Sequence, residues 1–296
     1  MIYDLIVIGM GPSGMAAAVY AKRNGLNVLI LEKSMPGGLV NNSSEVDNYL
    51  GYPGIKGIDL VANFVSHISS LDIPYKIEEV KDIKLEQDIK KVITAKEEYN
   101  TKNIIIATGR SPELLGLPKE KELIGRGIST CALCDGVFFK DKVIAVVGGG
   151  NSALEEAIHL SSIVSKIYLI HRRENLRGEE ILRSSVESKD NIEIIYNSEI
   201  TKLLEAGNKL SGIELNNKEV INIEGLFIYI GYKPNTEVFK NIVATNKEGY
   251  IKVNQYYETS VSGIYAVGDI IEKEYYQIIT AVNEGSVAAL NISRIK

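Results

Sequence analysis

Cysteine is nearly absent: two residues in 296, both in the segment Cys131-Ala132-Leu133-Cys134. A pair at this spacing in a cysteine-poor chain sets two thiols within disulfide reach across one turn, which suits redox exchange better than stapling a fold. Histidine is scarce as well. Only His67, His159 and His171 could join the two thiolates, and a closed zinc site takes about four ligands, so no metal site is expected. No apolar run approaches the roughly 18 residues of a membrane span, and no membrane partner is expected. Positive charge is not in excess either. The 33 Lys and Arg stand against 38 Asp and Glu, for a net charge of −5, and neutralising nucleic-acid phosphates requires a basic face that this balance does not supply. Before the first apolar run, Leu5-Ile6-Val7-Ile8, there is no basic leader or small-residue cleavage site, which points to the cytoplasm. In that reducing compartment a lone cysteine pair is expected to be catalytic or metal-bound, not a permanent staple, and the shortage of further ligands makes metal the weaker choice.

What is present is the composition of a globular protein, 45% apolar and 24% charged, in a length that fits two domains of about 100 to 200 residues. Two glycine-rich strand-to-helix turns stand out. The first is Gly9-Met10-Gly11-Pro12-Ser13-Gly14 and the second Gly148-Gly149-Gly150-Asn151-Ser152-Ala153. Gly9 and Gly148, Gly11 and Gly150, and Gly14 and Ala153 are each 139 residues apart. The same offset carries Glu32, at the end of Val28-Leu29-Ile30-Leu31, onto His171, at the end of Ile167-Tyr168-Leu169-Ile170. Each copy therefore reads as strand, glycine turn, helix and strand, closed by a polar residue. That is the dinucleotide-binding βαβ unit, in which the glycines allow a tight turn and close approach to a pyrophosphate, and the helix N-terminus meets its charge.

The residue closing each copy distinguishes the two ligands. Glu32 is a carboxylate suited to accept hydrogen bonds from free ribose hydroxyls, as in FAD or NAD. His171-Arg172-Arg173, with Arg177 four residues beyond, offers guanidinium groups that could clamp a 2′-phosphate bidentately, so NADPH is expected over NADH. Further buried-strand runs end at glycine: Ile104-Ile105-Ile106-Ala107-Thr108-Gly109, Leu226-Phe227-Ile228-Tyr229-Ile230-Gly231, and Gly263 to Gly268-Asp269. The tail after Asp269, with a helix-like stretch from Thr280 to Ile292, is too short to fold alone and should complete the first domain. The second domain is then an insertion. Its expected hinges are Glu113 to Pro118 and Tyr232 to Thr236, each loop-like and holding a proline.

Taken together, these motifs resemble the low-molecular-weight bacterial thioredoxin reductases over nearly the whole chain. They run from the opening GxGPSG and Glu32 through Cys131-x-x-Cys134-Asp135-Gly136, the stretch Gly148 to Ala157 and HRRxxxR at His171 to Arg177, to Gly231-Tyr232-x-Pro234-Asn235-Thr236 and Gly268-Asp269. The resemblance implies an α/β fold of two Rossmann-like dinucleotide-binding domains, with the NADPH domain (114–240) inserted into a discontinuous FAD domain (1–113 and 241–296). It also implies a homodimer, with thioredoxin or a thioredoxin-like protein as partner. Gly38, Asn48, Thr108, Gly109, Gly268, Asp269 and Gln277 would join the first glycine turn at FAD. Electrons would pass from NADPH through the flavin to the Cys131–Cys134 disulfide, with Asp135 as proton donor to the departing thiolate. Because nicotinamide and disulfide belong to one domain and both must reach one flavin, the resemblance further implies a swinging of that domain.

At two flavin-side places the chain departs from the usual pattern. Leu39 follows Gly37-Gly38 where glutamine is common, and Tyr276 precedes Gln277 where arginine often stands; fewer polar contacts near the flavin are expected from both. Other readings are a ferredoxin-driven thioredoxin reductase, which should have lost the basic cluster at 171–177, an NAD(P)H oxidase or ferredoxin:NADP reductase of the same form, which typically lacks the CxxC, and a redox sensor without turnover.

Overall fold

The first apolar run becomes strand β1 (Ile2–Ile8), followed by helix α1 (Pro12–Arg23) and strand β2 (Val28–Glu32). Helix α1 starts where proline is best tolerated, at its first position behind Gly11, and ends at Asn24 with Gly25 in the left-handed region at φ +74°. The structure, a computed structural model, describes residues 1–43, 45–86 and 88–294. Two units are distinguished: Met1–Ser111 together with Lys233–Lys296, and Pro112–Tyr232. The second is an insertion in the chain of the first.

Among the described residues of the first unit, seven strands form one sheet. Helix α2 (Gly57–Ser70) leads to β3 (Tyr75–Ile77), and β4 (Val80–Glu86), β5 (Ile89–Thr94) and β6 (Glu98–Ile106) form an antiparallel run. The order is β3-β2-β1-β6-β5-β4, with Ile264–Ala266 pairing parallel to the second half of β6. Strands β1 and β2 are nearly continuous apolar runs because parallel strands are covered on both faces. The C-terminal helix Ile278–Arg294 packs on α1, and a Cβ at Gly285 would run into the carbonyl oxygen of Ser13. Only glycine permits that approach.

In the second unit the plan recurs. Val143–Gly148, the helix Asn151–Ser161 and Lys166–Ile170 form a parallel βαβ unit, within the sheet order Ile192–Ile195, Lys166–Ile170, Val143–Gly148, Gly225–Tyr229, Ile128–Ser129. The pairing register repeats with the 139-residue offset: Leu5 faces Val28, and Ile144 faces Ile167. A three-stranded antiparallel sheet, Ile200–Ala206, Lys209–Leu215 and Val220–Asn222, follows Ile192–Ile195 as the antiparallel run β4 to β6 follows β3 in the first unit.

Two sequence expectations shift. Residues 233–240, expected with 114–232, fall in the first unit, where Phe239 is 2% exposed in one core cluster with Val243, Ile251 and Ile270, and residues 112–113, expected with the first domain, fall in the second unit. The last two residues of the expected 241–296 segment lie outside the described residues. The expected hinge Glu113 to Pro118 is less free than its proline suggests. The buried Glu120 carboxylate accepts the backbone N–H groups of Leu115, Gly116 and Leu117 at 2.7, 2.7 and 3.2 Å, fastening them to the second unit.

Candidate functional site

The first glycine turn sits at the carboxyl end of β1 and opens onto a cavity of about 560 Å³. Its glycines do three different jobs. Gly9 holds φ +106°, and a Cβ there would strike the carbonyl oxygen of Ala107 at the end of β6; one at Gly14 would strike the carbonyl oxygen of Gly9. Gly11 has ordinary backbone angles and nothing within 4 Å of where its Cβ would be. Gly9 and Gly14 thus close the turn and press the helix to the strand, while Gly11 keeps a space clear. That space is what a pyrophosphate at a helix N-terminus requires, and α1 has no side-chain cap competing for its first N–H groups.

Glu32, 8% exposed, is fixed by backbone donors: Met10 N–H at 2.7 Å and Ser34 N–H at 3.0 Å. A carboxylate so oriented beside the turn fits a ribose diol. Across the sheet, Thr108 and Gly109 close β6. Asn235 clasps them, donating through its side chain to the Thr108 carbonyl at 2.8 Å and through its N–H to the Gly109 carbonyl at 2.9 Å. Pro12, Ser13, Gly38, Leu39, Asp269 and Gln277 also line the cavity. Asn48 is exposed, and its amide donates to Gln277 Oε1 at 3.1 Å. Gly268, at φ +79°, lies against Ser13 and donates its N–H to the buried Glu284 carboxylate at 2.7 Å. Burial raises the Glu284 carboxyl above its usual range, while Lys273 at 3.1 Å pulls it down. Sequence reading missed Glu284. The signal was an acid within the apolar face of the last helix, between Ala281 and Ala288.

Tyr276 does not leave its wall of the cavity without charge. The Arg110 guanidinium lies 4.1 Å from its ring centroid and the Lys273 ammonium 5.4 Å away. Arg110 also pairs with Asp269, Nε to Oδ2 at 3.3 Å. This corrects the expectation of a less polar site at position 276. Leu39 lines the cavity beside Val40, Asn41 and Asn42.

The second glycine turn repeats the division of labour. Gly148, at φ +149°, faces the Tyr229 carbonyl oxygen where a Cβ would go, and Gly150 faces open space. Two cavities flank this turn, with Arg177 on both. One of about 350 Å³ includes Gly149, His171, Arg172 and Ser198. The other, about 190 Å³, is lined by Gly150, Asn151, Ser152, Ala153, Thr130 and Tyr229. Arg172, Arg173 and Arg177 are exposed, and the Arg177 and Gly178 N–H groups both donate to the Gly149 carbonyl, at 2.6 and 3.0 Å. The arginine is thereby held beside the turn. His171 has another role: it is 4% exposed, and its Nε2–H donates to the Asn175 carbonyl at 3.0 Å. Burial holds its pKa below the usual value against the pull of that carbonyl, and the charges of Arg177 and Arg173 lower it further. The positive charge of this strand end belongs to the arginines.

Cys131 and Cys134 form a disulfide with Cα atoms 5.4 Å apart, at the start of the short helix Ala132–Asp135. The loop is pinned from both sides. Ser129 Oγ accepts the Cys131 N–H at 3.0 Å and donates to the Cys131 carbonyl at 3.1 Å. The Tyr229 hydroxyl accepts the Ala132 N–H at 2.7 Å, and burial raises the Tyr229 pKa. The Cys134 N–H points at Cys131 Sγ from 3.1 Å, a donor that favours negative charge on that sulfur. Asp135 is partly buried and returns its own N–H to the Cys131 carbonyl at 3.2 Å.

Comparison with known proteins agrees along the whole chain. A family model described as pyridine nucleotide-disulphide oxidoreductase matches residues 3–285. The chain is 40% identical to a thioredoxin reductase of Bacillus subtilis, over 98% of this chain and 94% of the other. A crystal structure of Lactococcus lactis thioredoxin reductase matches with TM-score 0.89 and 37% identity, over 99% of this chain and 98% of that one. For thioredoxin reductase from T. acidophilum the values are 0.87 and 34%, with 99% and 98% coverage.

Proposed function

The chain belongs to the pyridine nucleotide-disulphide oxidoreductase family, and from that premise we propose that it is a thioredoxin-disulfide reductase, drawing electrons from NADPH and using FAD. The observation that carries the proposal is the content of the second unit: Thr130, next to Cys131, lines one cavity with the second glycine turn. A nucleotide site and a redox disulfide in one unit are the two ends of an electron path. The comparisons support the reading, since the named relatives are thioredoxin reductases.

FAD would be held by Gly9, Gly11, Pro12, Ser13 and Gly14 at its pyrophosphate, by Glu32 at its ribose, and by Gly38, Thr108, Gly109, Asp269 and Gln277 beyond, with Asn48 and Gly268 supporting them. NADPH would lie on Gly148, Gly150, Asn151, Ser152 and Ala153, with Arg172, Arg173 and Arg177 meeting its 2′-phosphate and His171 shaping the turn beneath. When bound, the flavin supplies the passage from two-electron hydride chemistry to disulfide reduction. The protein's own part follows. Reduction of the Cys131–Cys134 bond gives a dithiol; Asp135 delivers the proton to the departing sulfur; and the dithiol exchanges with a partner disulfide through a mixed disulfide, so that one disulfide opens as the other forms. The donor at Cys131 Sγ favours Cys131 as the thiolate. The proposal extends to a cytoplasmic homodimer acting on thioredoxin or a thioredoxin-like protein. A ferredoxin-driven alternative is disfavoured by the three exposed arginines, which such an enzyme has no use for.

The test is a pair of variants, Cys131→Ser and Cys134→Ser. Each should abolish thioredoxin reduction while NADPH still bleaches the flavin. Loss of both reactions in both variants would make the cysteines structural and end the proposal.

A further inference from the structure

The order of strands in the first unit assigns a place to each part of a bound dinucleotide. Moving across the sheet, the carboxyl ends present Glu32 from β2, the glycine turn from β1, Thr108 to Arg110 from β6, and Gly268-Asp269 after Ile264–Ala266. With ribose at Glu32 and pyrophosphate at Gly11, the remaining half of the molecule must run towards β6 and Asp269. Arg110 stands on that side. Its side chain is 20% exposed, its guanidinium is stacked on Tyr276, and its Nε meets Asp269; all three residues line the same cavity.

We propose that Arg110 is the fixed positive charge on the isoalloxazine side of the cavity, and that it raises the reduction potential of the bound flavin. The inference rests on the FAD reading above and adds to it a residue that neither the glycine motifs nor the Cys pair predicts. Two-electron reduction places negative charge on the isoalloxazine system. A cation already oriented by stacking and by an ion pair stabilises that charge without reorganising, and does so strongly in a partly desolvated cavity. The groups around it sharpen the effect. Asp269 is shared between Arg110 at 3.3 Å and Lys273 at 3.3 Å, and Lys273 also serves Glu284. Two cations thus balance two carboxylates. Without the guanidinium, Asp269 on the cavity wall is left to share one cation with the buried Glu284, and the charge beside the cavity turns negative where the reduced ring would need the opposite. The pyrophosphate already has the N-terminus of α1, so a cation this far along the sheet has the ring as its natural counterpart.

The experiment compares full-length FAD-loaded wild type with Arg110→Gln and Arg110→Lys, measuring the flavin midpoint potential against a reference dye and the FAD dissociation constant in the oxidised state. Arg110→Gln should disfavour two-electron reduction at least tenfold, a shift of about 30 mV to more negative potential. Arg110→Lys, which keeps the charge but not the planar fork, should recover most of it. If Arg110→Gln fails to retain FAD, Arg110→Ala and Arg110→Lys decide by the same criterion. An unchanged potential in the neutral variants, with or without weaker FAD binding, would overturn the inference while leaving the FAD reading intact. A wild type that binds no FAD would overturn both.

Discussion

At the scale of single residues, the proposed preference for NADPH rests on guanidinium groups and not on the histidine beside them. Arg172 and Arg173 are exposed at the end of Lys166–Ile170, while the ring of His171 is turned under the glycine pair. Replacing both arginines by alanine removes charge-assisted hydrogen bonds that only a 2′-phosphate can receive. KM for NADPH should rise about 10- to 100-fold and KM for NADH change little, as steady-state kinetics with both cofactors would reveal. Equal losses would refute the phosphate assignment. His171 makes a separate prediction. Its folded pKa is lowered by burial, so the unfolded chain takes up the proton first as pH falls. Its stabilising contribution is therefore complete above the ordinary histidine value of about 6.5 and declines on acidification through that value. Denaturant unfolding between pH 5 and 8 should show this decline, and His171→Asn should flatten it. Of the site residues, those with motif chemistry were legible in the sequence. Arg110 and Tyr229 were not, because each acts through contacts with residues about 100 or more positions away, Tyr229 with Ala132 and Arg110 with Tyr276; Glu284 was missed although its place in the apolar face of the last helix marked it.

At the scale of elements, the two glycine turns separate folding from binding within six residues. Gly9 has a positive φ and a carbonyl oxygen where its Cβ would lie, whereas Gly11 has neither. Gly9→Ala should lower the unfolding midpoint markedly. Gly11→Ala should change stability by no more than an ordinary surface substitution does, about 0.5 kcal/mol, yet purify with depleted flavin. Thermal unfolding and the flavin-to-protein absorbance ratio together decide this; a folded, fully loaded Gly11→Ala protein would contradict a pyrophosphate at that turn. Helix ends were legible here, since Pro12 and Gly25 mark them chemically. The antiparallel strands 200–222 were not singled out: Gly207-Asn208, both at positive φ, do mark the turn between the first two, but the half-buried strands have no continuous apolar run.

At the scale of the whole molecule, a repeat offset of 139 residues was enough to foresee two βαβ units and an inserted second one, and the pairing register keeps that offset. The return point was read late, at 241 and not 233, because Pro234 and Asn235 look like linker while Asn235 in fact clasps Thr108 and Gly109. The central claim is that one chain carries electrons from NADPH through FAD to a dithiol. Anaerobic titration of the purified protein with NADPH, followed by absorbance from 300 to 700 nm, tests it most directly. The account predicts a yellow protein that takes up more than one equivalent of NADPH per flavin, the excess accounted for by the Cys131–Cys134 disulfide and lost in Cys134→Ser. A protein without flavin after reconstitution, or a flavin that NADPH leaves oxidised, would contradict it.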